Sequence, residues 1–219
     1  IDLAACNARG IVVTNTPDVL TDDVADLGIG LILGALRGLI RGDRWARDGS
    51  WPKHGMMPLM TTITGKRLGI AGLGRIGKAV ARRALPMGMS ISYFGRTRQD
   101  DVPYRYFDRL DAMCRDIDIL VLSCPGGRET HHLVDADILK ALGPKGYVIN
   151  IARGTVVDEE ALIAALQSGG IAGAGLDVFA SEPNVDARLI AMDNVALYPH
   201  HSSGTVETRD AMMQLVVDN

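Results

Sequence analysis

Residues 67–78 read RLGIAGLGRIGK, in which an apolar run leads into three closely spaced glycines and a helical pattern. Gly72, Gly74 and Gly77 give the spacing G-x-G-x-x-G between a predicted strand and a predicted helix. Glycine at these positions allows a tight turn, lets the backbone approach a pyrophosphate and brings the helix close to the sheet. The helix N-terminus then offers free N–H groups to an anion. A glycine-rich turn without a ligand is the alternative, but the strand–turn–helix context favours a dinucleotide site.

The end of the next predicted strand bears on which dinucleotide binds. An NAD-specific site places Asp or Glu about 20 residues beyond the glycine turn, where it holds the ribose 2′-hydroxyl. Here residues 93–98 read YFGRTR, without a carboxylate. Gly95 leaves room for a 2′-phosphate, Arg96 and Thr97 can bind it, and Arg98 can assist. We therefore expect NADP(H) as the preferred cofactor and NAD(H) as a possible one, with a solvated basic turn as the alternative.

Apolar runs rich in β-formers alternate with helical patterns along most of the chain. Continuous apolar runs are typical of parallel strands that are buried on both faces. Their alternation with helices predicts an α/β fold with a doubly wound parallel sheet of the Rossmann type. The predicted strands are 67–71, 89–94, 118–123, 147–151, 172–176 and 195–198. The predicted helices between them are 75–85, 107–115, 135–142, 158–167 and 187–192.

The flanks of the chain differ from this central pattern. A short strand is predicted over residues 11–15, and a long apolar helix over residues 22–41. A loop with two tryptophans, two prolines and three methionines then runs to residue 60. A tail helix is predicted from residue 206 to the end.

Composition excludes several classes of protein. The 219 residues are 47% apolar and 22% charged, with a mean hydropathy of +0.12, which suits one domain with a sizeable core and argues against disorder. The net charge of −3 and the absence of a basic block argue against a nucleic-acid partner. The most apolar stretch, residues 27–36, is far shorter than the about 20 residues that cross a bilayer. We therefore expect no membrane partner.

The cysteines indicate the compartment. Cys6, Cys114 and Cys124 are odd in number and scattered, which suggests neither a disulfide framework nor a zinc site. No signal peptide is visible. We expect no bound metal and a cytoplasmic location.

Three further motifs follow the glycine turn along the chain. Residues 148–154 read VINIARG, residues 173–183 read GAGLDVFASEP, and residues 198–200 read YPH. In this order and spacing, the four motifs resemble the NAD(P)-binding domain of the D-isomer-specific 2-hydroxyacid dehydrogenase family. The resemblance covers essentially the whole chain.

The resemblance implies that Arg153, Glu182 and His200 are the catalytic residues. Their chemistry suits the reduction of a 2-oxo acid: the planar guanidinium of Arg153 matches a carboxylate, and His200 can donate a proton near neutral pH. Glu182 would favour the protonated imidazole and fix its orientation. Taken singly, an arginine after a strand is usually a surface residue and a histidine is usually structural or exposed. The adjacent His201 is the alternative proton donor, but the Pro-His motif of the family indicates His200.

The resemblance also implies cofactor contacts. Asp177 would touch the nicotinamide carboxamide, with a purely structural role as the alternative, and Cys124-Pro125 would lie over the cofactor. Gly126-Gly127 depart from the family pattern, where many relatives carry Leu-Thr. His131 and His132 are expected to be exposed or to lie at the cofactor's edge. The expected contacts are Gly72, Gly74, Arg75, Ile76, Gly77, Gly95, Arg96, Thr97, Arg98, Cys124, Pro125, Ile151, Ala152, Arg153, Asp177, His200 and Ser202.

The leading functional hypothesis is NADPH-dependent reduction of glyoxylate or hydroxypyruvate to the D-2-hydroxy acid. It rests on the resemblance and on the NADP-like turn. Alternatives with the same chemistry are a phosphoglycerate, lactate or branched 2-oxo acid dehydrogenase, and less so a formate or phosphite oxidiser. A remote alternative from another class is a non-catalytic NAD(H)-sensing interaction protein, like the corepressors that share this fold.

The resemblance implies a second, substrate-binding lobe, of which residues 1–16 would be a remnant. Residues 17–205 would form the NAD(P)-binding domain, and residues 206–219 would start a helix that returns to the lobe. Residues from about 20 to 60 would form a homodimer interface. The predicted loop in this segment is apolar for a loop, which suits an interface; the alternative is that these residues cover their own sheet. Without the lobe, we expect the chain to bind cofactor but to reduce substrate poorly, because one wall of the cleft is missing.

Overall fold

The centre of the molecule is a sheet of seven parallel strands in the order β3-β2-β1-β4-β5-β6-β7. The computed structural model describes all residues from 1 to 219. The strands are β1 Arg67–Ala71, β2 Ser90–Phe94, β3 Arg105–Phe107, β4 Ile119–Leu122, β5 Tyr147–Asn150, β6 Gly173–Leu176 and β7 Val195–Leu197. Strand order reverses between β1 and β4, and such a switch point opens a crevice at the carboxyl ends of the strands. The predicted doubly wound parallel sheet is confirmed.

Helices cover both faces of the sheet. They are α1 Leu3–Ala8, α2 Thr21–Arg37, α3 Leu39–Arg47, α4 Ser50–His54, α5 Arg75–Ala84, α6 Leu110–Cys114, α7 Ala136–Leu142, α8 Glu159–Ser168, α9 Ala187–Ile190 and α10 Val206–Asp218. Helices α2 and α5 pack together over one face, and α6 to α9 supply the apolar side chains of the other. The central strands β4 and β5 are buried along their whole length, as their continuous apolar sequences predict.

Two predictions of secondary structure are wrong, one of a strand and one of a helix. Residues 11–15 form no strand, because no neighbouring strand lies beside them to satisfy their backbone groups, and Ile11, Val12 and Val13 are exposed. The predicted helix over 107–115 starts only at Leu110 and is preceded by the edge strand β3, which pairs with β2. This strand is only three residues long and opens with an exposed arginine, so it lacks the apolar run of a buried strand.

The predicted long helix over 22–41 is also wrong in its extent. Helix α2 ends at Arg37, because Gly38 takes a left-handed conformation with φ 61°. A separate helix, α3, then runs from Leu39 into the predicted loop, and the short helix α4 follows it. No helix of the chain is both long enough and apolar enough to cross a membrane. The expected domain boundaries at 16–17 and 205–206 stay predictions.

Candidate active site

The glycine turn joins β1 to α5 at the switch point of the sheet. Gly72 has φ 96°, and a Cβ atom there would lie 2.7 Å from the backbone of Cys124. A Cβ atom at Gly77 would lie 2.5 Å from the Gly72 carbonyl oxygen, so this glycine brings α5 close to the turn. A Cβ atom at Gly74 would meet nothing within 4 Å, which leaves open space above the turn. No side chain caps the N-terminus of α5, so its first N–H groups can serve an anion.

A cleft of about 740 Å³ runs from this turn along the carboxyl ends of β1, β2 and β4. Its predicted cofactor residues are Gly72, Gly74, Arg75, Ile76, Gly95, Arg96, Thr97, Cys124 and Pro125. Gly77 does not line the cleft, since it lies beneath the turn. Arg98 does not line it either; its guanidinium lies 3.9 Å from the carboxylate of Asp100. The volume of the cleft lies within the range of small-molecule and cofactor sites, about 300–1,000 Å³.

The cations around the cleft differ in whether they are paired. Arg75 forms an ion pair with Asp18, which lies in the segment before α2. Lys78 forms one with Asp101 at 2.6 Å. Arg96 lines the cleft, is exposed and has no ion-pair partner within 4 Å. Arg96 is therefore free to bind an added phosphate group.

The loop after β4 forms the wall opposite the glycine turn. The Ser123 hydroxyl donates to the Gly72 carbonyl oxygen at 2.8 Å, and the Thr130 hydroxyl donates to the Pro125 carbonyl oxygen at 2.6 Å. Burial raises the pKa of the Cys124 thiol, which favours its neutral form.

Arg153 follows β5, and the buried side chain of Asn150 shapes the turn on which it lies. The Asn150 amide donates to the Arg153 carbonyl oxygen at 3.1 Å and accepts the N–H of Ala152 at 3.0 Å. Arg153 itself donates to the Ala152 carbonyl oxygen at 2.6 Å. A Cβ atom at Gly126 would lie 2.8 Å from the Arg153 side chain, so the loop after β4 lies directly on that side chain. The cofactor cleft and Arg153 are thus adjacent.

His200 and Glu182 form a close pair. His200 Nδ1 lies 2.6 Å from Glu182 Oε2, and the backbone N–H of Phe179 donates to the other carboxylate oxygen at 3.0 Å. Burial opposes ionisation of Glu182, but the hydrogen bonds from His200 and Phe179, together with the positive charge of Arg153, outweigh it and lower the pKa of Glu182. Glu182 is therefore a carboxylate near neutral pH, and the three predicted catalytic residues lie in one place.

Asp177 holds the chain around His200. It is buried, its backbone carbonyl oxygen accepts the N–H of His200 at 2.8 Å, and its carboxylate accepts the N–H of His201 at 2.9 Å. His200 is held in the left-handed region with φ 47°, a conformation that non-glycine residues seldom adopt. These bonds give Asp177 the structural role that the sequence left open; its predicted nicotinamide contact stays a prediction.

Three further predicted cofactor residues do not line the cleft. Ile151 and Ala152 are buried after β5, and Ser202 is half-buried in the loop after His200. His131 and His132 are exposed, as expected, and their rings stack with centroids 3.9 Å apart.

Sequence reasoning missed four polar residues that shape the site, namely Gln99, Ser123, Thr130 and Asn150. Each lies just beyond, or at, the carboxyl end of a strand or in the loop that follows it. Polarity at such positions was the available signal, because ligands bind at this edge of an α/β sheet.

A doubly wound parallel sheet with a glycine turn at its switch point defines the class of Rossmann-type dinucleotide-binding proteins. Comparison with known families is more specific. The model of the family described as D-isomer specific 2-hydroxyacid dehydrogenase, NAD binding domain, matches residues 29–202, and the chain belongs to this family.

Several curated relatives and solved structures are similar to the whole chain. A glyoxylate/hydroxypyruvate reductase A of Arabidopsis thaliana is 52% identical over 219 residues, which are 100% of this chain and 70% of that protein. A hydroxyphenylpyruvate reductase of Plectranthus scutellarioides is 51% identical with the same coverage. The crystal structure of an NADPH-dependent glyoxylate/hydroxypyruvate reductase of Sinorhizobium meliloti, in complex with NADP and malonate, has a TM-score of 0.97 and 50% identity. It is matched over 100% of this chain and 69% of that one.

Proposed function

We propose that this chain is the cofactor-binding part of a reductase that converts a small 2-oxo acid, glyoxylate or hydroxypyruvate, into the D-2-hydroxy acid with NADPH. The single observation that carries the proposal is the His200–Glu182 pair at 2.6 Å, with Arg153 beside it, next to the dinucleotide cleft. The names of the relatives support the same substrate class.

The roles of the three residues follow from their charges. Arg153 attracts the substrate carboxylate and polarises the carbonyl oxygen, since its guanidinium presents paired donors. NADPH, when bound in the cleft, would supply the hydride for the carbonyl carbon. His200 gives its proton to the oxygen as negative charge develops there. The carboxylate of Glu182 stabilises the charged imidazole before that transfer and keeps Nε2 directed at the substrate.

The chain's own residues fit NADPH. The open space over Gly74 and the uncapped start of α5 suit the pyrophosphate. Arg96 and Thr97, at the end of β2, suit the 2′-phosphate, since Arg96 is unpaired and no carboxylate lies on the turn between residues 95 and 99. We propose Gly72, Arg75, Ile76, Cys124 and Pro125 as further contacts in the cleft.

Two further parts of the proposal concern the assembly. Leu39, Trp51, Met56 and Leu59 are exposed apolar residues in and after α3 and α4, and we propose this surface as a homodimer interface. A substrate-binding lobe like that of the family completes the cleft. The curated relatives fit this idea, because the chain spans 70% of the length of the first two. A cytoplasmic location stays a prediction.

The product of the reaction tests the proposal. The protein with its substrate lobe is incubated with hydroxypyruvate and NADPH, and the glycerate formed is separated by chiral chromatography. We expect D-glycerate. L-glycerate, or no glycerate from a folded protein that binds NADPH, would overturn the proposed function.

A further inference from the structure

The turn over residues 95–99 carries Arg96 and Thr97 to the cleft, and two tyrosines hold its ends. Tyr93 of β2 and Tyr106 of β3 are register partners whose ring centroids lie 5.3 Å apart. The Tyr93 hydroxyl accepts the backbone N–H of Gln99 at 2.7 Å, and the Tyr106 hydroxyl donates to the Gly95 carbonyl oxygen at 3.2 Å. Both ends of the turn are therefore bonded to side chains of the sheet.

The side chain of Gln99 adds a bond between this turn and the glycine turn. Its amide Nε2 donates to the Leu73 carbonyl oxygen at 2.8 Å, and Leu73 lies between the first two glycines of the motif. Gln99 is half-buried and lines the cleft. A half-buried hydrogen bond of this kind is less exposed to competition from water than one on the open surface. Gln99 thus joins the two turns that a dinucleotide would bridge.

We propose that Gln99 is a positioning residue for cofactor preference, which holds Arg96 and Thr97 at a set distance from the glycine turn. The inference rests on the proposed preference for NADPH. A pyrophosphate on the glycine turn fixes where the adenosine ribose lies, so the 2′-phosphate meets Arg96 only if the second turn is held in place. NADH has no 2′-phosphate, so its binding does not require Arg96 to be held at this distance. Loss of the Gln99 bond therefore weakens NADPH binding more than NADH binding.

Equilibrium titrations of the chain with NADPH and with NADH, followed by cofactor fluorescence, test this inference. In Gln99→Leu we expect NADPH to bind about threefold to tenfold more weakly, as for loss of one hydrogen bond, and NADH affinity to change by less than about twofold. Gln167→Leu makes the same chemical change on the exposed face of α8 and leaves both affinities unchanged. Thermal melting confirms that each variant is folded.

Tyr93→Phe provides a second variant in case Gln99→Leu does not fold. It removes only the hydroxyl that accepts the Gln99 N–H. We expect it to lower the ratio of NADPH affinity to NADH affinity, as Gln99→Leu does. In the double variant, the fold-change in this affinity ratio is smaller than the product of the two single fold-changes, because both substitutions release the same turn.

Arg96→Ala separates this inference from the proposed function. If the wild type binds both cofactors equally, the proposed cofactor preference fails; if Arg96→Ala leaves the affinity ratio unchanged, Arg96 does not hold the 2′-phosphate. In either case the inference about Gln99 falls. If Arg96→Ala removes the preference but Gln99→Leu and Tyr93→Phe leave the ratio unchanged, the role of Gln99 alone is wrong.

Discussion

At the residue scale, His200 and His201 are neighbours with different surroundings. His200 Nδ1 contacts Glu182, whereas the backbone of His201 donates to Asp177. The Pro-His motif, through the family resemblance, singled out His200 as the proposed proton donor. The particular bonds by which Asp177 holds the chain around His200 could not be predicted, because they join residues more than twenty positions apart and depend on how β6 and β7 are placed.

We predict that His200→Ala lowers the kcat for hydroxypyruvate by about a hundredfold or more, since a positioned general acid contributes that much. His201→Ala, the matched control, retains most of the wild-type rate. Steady-state kinetics of both variants, in the protein with its substrate lobe, checks this. Comparable losses in the two variants would contradict the assignment of His200.

Glu182 gives a prediction about pH. Its pKa is lowered in the folded protein, because the hydrogen bonds from His200 and Phe179 outweigh the effect of burial. A carboxyl of this kind contributes stability above its unfolded pKa, and this contribution is lost as the pH falls through its lowered folded value. We expect the unfolding free energy of Glu182→Gln to lie below that of the wild type at neutral pH, and the difference to shrink below the usual carboxyl range.

Urea denaturation at several pH values measures this difference. Glu207→Gln is the matched control, because Glu207 is exposed on α10 and forms no ion pair with a side chain of the protein. A gap between wild type and Glu182→Gln that stays constant, or grows, in acid would contradict the account of the pair.

At the element scale, the glycine turn and the buried strands could be predicted because local patterns specify them. Glycine spacing marks the turn, and continuous apolar runs mark β4 and β5. The break between α2 and α3 was missed, since one glycine in a helical pattern is compatible with either a continuous helix or its end. The false strand over residues 11–15 has the composition of a strand but no partner in the sheet.

Two glycine substitutions distinguish folding from cofactor binding at the turn. Gly74→Ala adds a methyl group into open space, so stability is unchanged, while NADPH binds about tenfold or more weakly because the methyl group stands where the pyrophosphate approaches. Gly72→Ala places a methyl group against the backbone of Cys124, and residue 72 has a positive φ that alanine rarely adopts. We therefore expect a lower melting temperature.

Thermal melting and NADPH titration of both variants check these outcomes. Unchanged NADPH affinity in Gly74→Ala would contradict the placement of the pyrophosphate. An unchanged melting temperature in Gly72→Ala would contradict the packing of the turn against the loop after β4.

At the scale of the whole molecule, the proposed dimer surface lies on α3, α4 and the segment after them. Trp51 is 63% exposed and Leu59 is 96% exposed, and with Leu39 and Met56 they concentrate exposed apolar side chains in one segment, as an interaction surface would. We predict that the wild type sediments as a dimer and that Leu59→Glu sediments as a monomer, because burying a new charge at an interface is costly.

Sedimentation velocity distinguishes the two states. Ile190→Glu is the matched control, since it adds the same charge to an exposed apolar position on α9, which is not one of the residues proposed for the interface, and the dimer should persist. A monomeric wild type, or dissociation of both variants, would contradict the proposed interface.

The central claim is that the cleft and the Arg153–Glu182–His200 group together perform NADPH-dependent reduction of a small 2-oxo acid. The most direct measurement is the initial rate of cofactor oxidation with hydroxypyruvate, using NADPH and NADH in parallel, in the protein with its substrate lobe. The account predicts turnover with both cofactors and a kcat/KM at least about tenfold higher with NADPH, the factor that corresponds to one charge-assisted contact with the 2′-phosphate. Equal or higher kcat/KM with NADH, or no turnover with either cofactor, would contradict it.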